Sequence, residues 1–229
     1  MTHKQMRDQV VQWLGLQDIT SYDETSIVEQ QLYQGTLDLL SRTRCVVRCV
    51  ELRTVEDEPE YTLDHSILAL VDVEDGRRRR LRRGQGYGPA ERYGTPDSPI
   101  GVYGFTLVRS DVLLITPTPS EDGQLIQVWA VLRPQPMTED DDDLGDEEFG
   151  AIPPEFHDAV VDYALWKCAD YADDQTAQNG EYYRVLYEGQ DGRGGRLGQV
   201  RTLINKRGTA RAARANVNLR SVSDSGSYI

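Results

Sequence analysis

Apolar residues near the start of the chain recur at the spacing of an α-helix. Thr2 can cap a first helix, and Gly15 ends it. The apolar side of this helix holds Met6, Val10, Val11, Trp13 and Leu14. Ser21 and Glu24 are spaced as a capping box, which predicts a second helix ending near 41–44. The inward positions of the second helix are Ile27, Val28, Leu32, Leu37 and Leu40.

The pattern then changes from helical spacing to runs of β-branched residues. Segments 45–55, 61–74 and 105–132 read as strands, and the Glu-Asp-Gly at 121–123 supplies a turn. These segments predict a small antiparallel β unit. Residues 75–99 combine an arginine run with glycines and prolines, which predicts a long projecting loop outside the core.

A dense acidic stretch separates the β unit from the next helix. Eight of the ten residues from 139 to 148 are acidic. Like charges at this density repel, so the sequence predicts a solvated linker over 138–151. Pro153 and Pro154 then mark a helix start, because the first turn of a helix does not need their N–H groups. The helix that follows is apolar over more than half its circumference, which predicts a central position.

The last periodic segment carries five glycines within its pattern. Helical apolar residues run from Tyr183 to Ile204, but the glycines between 189 and 198 each cost about 1 kcal/mol relative to Ala. We therefore expect a break in the middle of this helix. After Lys206 the core pattern stops, and we expect an arm that binds a partner.

Together these elements predict an α+β fold. Its core is a four-helix bundle, with an inserted small antiparallel β unit and an extended C-terminal arm. The predicted segments are 1–44 (N-terminal helices), 45–137 (β insertion with the loop 75–99), 138–151 (acidic linker), 152–205 (C-terminal helices) and 206–229 (basic arm).

The charges are distributed unevenly over the 229 residues. Residues 193–229 contain eight basic and one acidic side chain, a net charge of +7. The other 192 residues contain 17 basic and 37 acidic side chains, a net charge of −20. An acidic body with a basic end predicts that the end meets an acidic surface.

Catalytic and metal-binding patterns are missing from the sequence. His3, His65 and His157 form no metal-ligand motif, and we interpret His157 as a surface residue. No nucleophile or phosphate-loop signature occurs, so we expect neither an enzyme nor a cofactor or metal site. The three cysteines predict buried thiols rather than disulfides. No apolar stretch reaches the roughly 20 residues that span a bilayer, which predicts a soluble protein without a membrane partner.

Two basic clusters are the candidate contact residues. The loop cluster, for contact with other subunits or with DNA, consists of Arg77, Arg78, Arg79, Arg80, Arg82 and Arg83. The arm cluster, for contact with a partner protein, consists of Lys206, Arg207, Arg211, Arg214 and Arg220. Arginine clusters bind nucleic-acid phosphates as well as acidic protein surfaces, and both alternatives stay open for the loop.

Three stretches resemble the head–tail connector (adaptor, or neck) proteins of tailed bacteriophages. "IPPEFHDAVVDYALWKCADY" is similar to the start of that family's third helix, and "EYYRVLYEG" to the start of its last helix. "VLLITPTPSEDGQLIQVWAVLRPQP" is similar to its β insertion. The arginine run and the acidic run are longer than the family pattern leads us to expect.

The resemblance implies a virion structural protein assembled in the host bacterial cytoplasm. Members form rings, commonly dodecameric, beneath the portal protein and join it to the next neck or tail component. Double-stranded DNA passes through the ring's channel during ejection, and the C-terminal segment docks on the portal. The alternative is a nucleic-acid-binding accessory protein that uses the arginine loop and the basic arm.

Overall fold

The protein is described by a computed structural model. It describes residues 1–15, 22–63, 66–76, 80–83, 104–169, 174–190 and 193–207. The chain divides into two compact units. The helical unit comprises Met1–Cys45, Met137–Gly145 and Ile152–Ile229, and the β unit comprises Val46–Pro136 and Asp146–Ala151.

Five α-helices make up the described part of the helical unit. They are α1 (His3–Trp13), α2 (Tyr22–Thr43), α3 (His157–Ala169), α4 (Asp174–Glu188) and α5 (196–207). A 3-10 turn at Pro154–Phe156 leads into α3, with proline in its first turn as predicted. The predicted four-helix bundle is therefore wrong, because the last predicted helix is two helices.

Glycine geometry explains the extra helix. Between α4 and α5 the chain forms a two-stranded hairpin of β8 (Gly189–Gln190) and β9 (Arg193–Gly194). Gly189 and Gly194 have φ of 88° and 86°, which side chains rarely adopt. A Cβ on Gly195 would lie 2.3 Å from the backbone nitrogen of Gly189. The chain can reverse here only because these positions lack side chains.

Helices α2, α3 and α4 form the centre of the helical unit. Gly35 allows close approach of α2 to α3, since a Cβ there would lie 3.1 Å from the carbonyl oxygen of Val160. Tyr187 of α4 is fully buried, and its hydroxyl donates to Asp38 of α2 at 2.6 Å. Trp13, which the sequence placed on the apolar side of α1, is 58% exposed at the end of that helix.

The β unit contains two sheets. The strands are β1 (Arg48–Arg53), β2 (Glu60–Thr62), β3 (Ile67–Asp75), β4 (Arg82–Arg83), β5 (Gly104–Arg109), β6 (Val112–Thr116) and β7 (Leu125–Leu132). One sheet has the order β1-β7-β3, and the other has the order β2-β6-β5-β4. All pairs are antiparallel except β4 with β5.

Alternation along the strands builds the core of the β unit. Ile126, Val128 and Ala130 of β7 are buried in one cluster with Leu113 of β6 and Phe105 of β5. The intervening residues of β7 lie on the opposite face of the sheet, because side chains alternate along a strand. The two sheets thus share one apolar core.

Candidate interaction surfaces

The end of the arginine run is part of the β unit. Leu81 donates its backbone N–H to the Val73 carbonyl at 2.8 Å, and its side chain is buried in the β-unit core. Arg80 lies 2.7 Å from the Asp72 carboxylate. The prediction that all of 75–99 lies outside the core is therefore wrong, because one apolar residue in the run fills a core position.

The remaining loop arginines divide into two groups. Arg82 and Arg83 form β4, whose backbone pairs with β5. Arg77, Arg78 and Arg79 lie outside the described residues, as does all of the loop from 84 onward. Of the six predicted loop contacts, only Arg80 has a described side-chain partner.

The acidic run carries fixed contacts with the start of the chain. The backbone carbonyl of Asp142 accepts a hydrogen bond from the N–H of His3 at 2.8 Å. The Asp142 carboxylate accepts another from the backbone N–H of Glu139, also at 2.8 Å. Arg7 of α1 lies 2.9 Å from Asp140. Leu144, in the middle of the run, is 0% exposed. The prediction of a solvated linker is therefore wrong for this segment, because backbone hydrogen bonds and one buried leucine fix its position.

His157 forms the centre of this contact region, and its interpretation as a surface residue is wrong. It is 1% exposed, with Nε2 2.7 Å from the carbonyl oxygen of Ile152. That oxygen only accepts, so Nε2 carries the proton, and Nδ1 accepts from the Met1 amino group 2.6 Å away. Burial lowers the pKa of His157, which favours this neutral form. The Gly145 N–H lowers the pKa of the neighbouring Asp143 carboxyl.

Helix α5 brings basic residues of the helical unit against acids near the start of α3. Arg196 lies 3.0 Å from the buried Asp162 and 3.7 Å from Asp158. Arg207, at the other end of α5, contacts Glu155 of the 3-10 turn at 2.5 Å. Lys206 is exposed beside it, while Arg211, Arg214 and Arg220 lie outside the described residues.

The sequence did not predict the acidic partners of Arg80 and Arg207. Asp72 lies on a strand whose alternation marks it as outward-facing, which could have indicated a surface pair. Glu155 is recognisable as a favourable first-turn residue. Its pairing with Arg207, 52 positions away, has no signal in a single sequence.

Metal-binding geometry is not found in the part of the chain that the structure describes. There, no group of three or more His, Cys, Asp or Glu side chains is placed to hold a metal ion. Burial raises the pKa of Cys168 to about 12, so its thiol stays protonated near pH 7 and is not a thiolate nucleophile. Within the same described ranges, none of the helices has the length and apolarity to cross a membrane.

Comparison with known families identifies the class of the protein. A family model described as SU10 adaptor protein matches residues 1–217 of the 229. The chain belongs to this family, which confirms the resemblance to phage head–tail adaptors. No curated protein matches the chain. The chain is thus a structural adaptor of a bacteriophage virion, located at the neck, where it contacts other head or tail components.

Proposed function

We propose that this adaptor forms a twelve-membered ring beneath the portal protein and joins it to the next neck or tail component. Double-stranded DNA passes through the ring, and assembly takes place in the host cytoplasm. The observation that supports the proposal is the family match over 1–217, which includes the whole β unit, most of the helical unit and the first part of the basic arm. A structural role of this kind needs no catalytic residue.

In this proposal the two basic clusters serve different contacts. The arm residues Lys206, Arg207, Arg211, Arg214 and Arg220 bind the portal. The loop residues Arg77, Arg78, Arg79, Arg82 and Arg83 bind the neighbouring subunit. A closed ring uses a heterologous interface, in which opposite charges on two faces of one subunit can fix the order of neighbours. Arg80 contributes less, since Asp72 of its own chain already engages it.

The direct test is assembly with the portal protein of the same phage. We expect native mass spectrometry of the mixture to detect a ring of twelve chains bound to the portal ring. Negative-stain images should show added density on one end of the portal. A chain that stays monomeric and unbound at micromolar concentrations would overturn the proposal.

A charge-reversal variant tests the loop within that assay. Changing Arg77, Arg78 and Arg79 to Glu should weaken ring assembly and reduce its sensitivity to salt. The control changes Arg44, Arg109 and Arg133, three exposed arginines elsewhere in the chain, to Glu with the same change in net charge. Equal assembly of both variants would exclude the loop from the subunit interface.

The nucleic-acid-binding alternative makes a separate prediction. It requires the isolated chain to shift duplex DNA with an affinity that falls steeply with salt concentration. The family match over residues 1–217 favours the adaptor over this alternative. A salt-dependent shift without portal binding would reverse this preference.

A further inference from the structure

The two ends of α5 are held with different strength. At its N-terminal end, Leu197 and Val200 are buried. Arg196 there pairs with Asp162, whose side chain is only 12% exposed. A shielded ion pair thus anchors this end to α3, and the burial of two apolar side chains adds to its stability.

The C-terminal end of α5 is held much less firmly. After Val200 no residue of the helix is buried, and Leu203 is 40% exposed. The Arg207–Glu155 pair, at 2.5 Å, is open to solvent on both sides, with Arg207 58% and Glu155 40% exposed. Exposed ion pairs add little stability and are screened by salt. The last turn of α5 can therefore separate from the 3-10 turn without disturbing the anchored end.

Glu155 does not depend on Arg207 for a partner. Its own backbone N–H, in the first turn before α3, is the main cause that lowers the pKa of its carboxyl, and Arg207 comes second. The charged carboxylate is thus stabilised at the start of a helix whether or not the arginine is present. Losing Arg207 leaves no buried, unpaired charge behind, so release carries a small cost.

We propose that the Glu155–Arg207 pair is a latch: Glu155 holds the end of α5 in the free subunit and gives up Arg207 to an acidic portal surface during assembly. The inference rests on the proposed function, in which Arg207 binds the portal. It adds that Glu155 competes with the partner for the same guanidinium group. Removing the competitor should therefore strengthen partner binding.

Hydrogen exchange of the full chain tests the latch without any partner. In Glu155→Gln, amides of 201–207 should exchange up to about fivefold faster than in the wild type, and those of 196–200 should not change. The control is Glu181→Gln, which removes another exposed glutamate–arginine pair, that with Arg184 on α4. Unchanged exchange at 201–207 in Glu155→Gln would overturn the latch.

Binding to the portal protein of the same phage tests the competition. Glu155→Gln should bind up to about fivefold more tightly than the wild type, whereas Arg207→Gln should bind more weakly. A pair with a purely structural role would shift both affinities in the same direction, and that result overturns the proposal. If the wild type does not bind the portal, the proposed function is overturned, and with it the transfer of Arg207 from Glu155 to the portal. Hydrogen exchange would still test whether the Glu155–Arg207 pair holds the end of α5.

Discussion

The acidic run at 139–148 and the described end of the arginine run, residues 80–83, have opposite charges, and each is fixed in a similar way. Each places one leucine among charged residues, Leu144 in the first and Leu81 in the second. Both leucines are buried, with 0% and 7% exposure. Both also donate backbone N–H groups, Leu144 to Met1 and Leu81 to Val73. A single apolar side chain can therefore fix a segment whose composition alone indicates solvation.

The two runs differ in what surrounds the leucine. The acidic run adds a network of backbone hydrogen bonds, such as those of His3 and Lys4 to Asp142 and Asp140. The end of the arginine run is held by the leucine and by the pair of Arg80 with Asp72. We therefore expect the acidic run to tolerate less change than the arginine run.

The largest effect is expected for Leu144→Ala. Truncating a fully buried leucine leaves a cavity and should lower the free energy of unfolding by about 2–5 kcal/mol. Urea denaturation followed by circular dichroism measures this loss. The control is Asp141→Ala, an exposed change in the same run that should stay within about 0.5 kcal/mol. Equal stability of the two variants would mean that the leucine does not fix the run.

Leu81→Ala should have a smaller effect of the same kind. Leu81 is slightly exposed at the edge of the β-unit core, so we expect a loss near the lower end of the range, about 2 kcal/mol. Urea denaturation again measures the loss of unfolding free energy. The control is Val55→Ala, which truncates a side chain that is 48% exposed. A larger loss than for Leu144→Ala would contradict the expectation that the acidic run tolerates less change than the arginine run.

Acid should weaken the region around the acidic run through His157. The pKa of His157 is lowered in the folded chain, so the unfolded chain binds more protons below its ordinary value near 6.5. Stability is complete above that pH and falls as the pH drops toward the folded pKa, by at most about 1.4 kcal/mol per pH unit. In His157→Gln, the slope of unfolding free energy against pH should flatten just below pH 6.5. An unchanged slope would contradict the buried, neutral histidine.

The smallest effect is expected for Arg80→Gln. Its pair with Asp72 is open to solvent on the arginine side, so the loss of unfolding free energy should stay below about 1 kcal/mol. Denaturation at low and high salt measures it, and the difference from wild type should shrink as salt rises. A loss as large as that of Leu81→Ala would mean that the ion pair, and not the leucine, holds the run.

Local rules in the sequence predicted part of this fold. The prolines before α3 predicted where that helix starts, and the glycines predicted the break in the last helix, because each signal comes from the backbone preference of a single residue. The burial of His157 and the ordered backbone of the acidic run could not be predicted in this way. Each depends on groups more than 100 positions away, such as Met1 and His3. Charge density predicted a solvated linker for the acidic run, and residues 75–99 were predicted to project outside the core. Both predictions failed at one leucine, because composition does not show that a single apolar residue in a charged segment fills a core position.

The basic clusters are visible in the sequence, but the ion pairs of their members are not. The arginines of the loop and the arm stand out in the sequence, whereas their partners Asp72 and Glu155 are ordinary acids in an acidic chain. Long-range pairing of charges depends on how the elements pack. For that reason the sequence could not show that Arg80 and Arg207 are engaged within the chain.

Hydrogen exchange of the full chain across 138–152 tests whether hydrogen bonds and the buried Leu144 hold the acidic run in place. We expect slow exchange at the amides of Asp142, Leu144, Gly145 and Ile152, each of which donates a hydrogen bond. We also expect fast exchange at Asp141 and Glu147, whose side chains are exposed and whose N–H groups have no described acceptor. Uniform exchange at the rate of an unfolded peptide throughout the segment would show instead that the acidic run is a solvated linker.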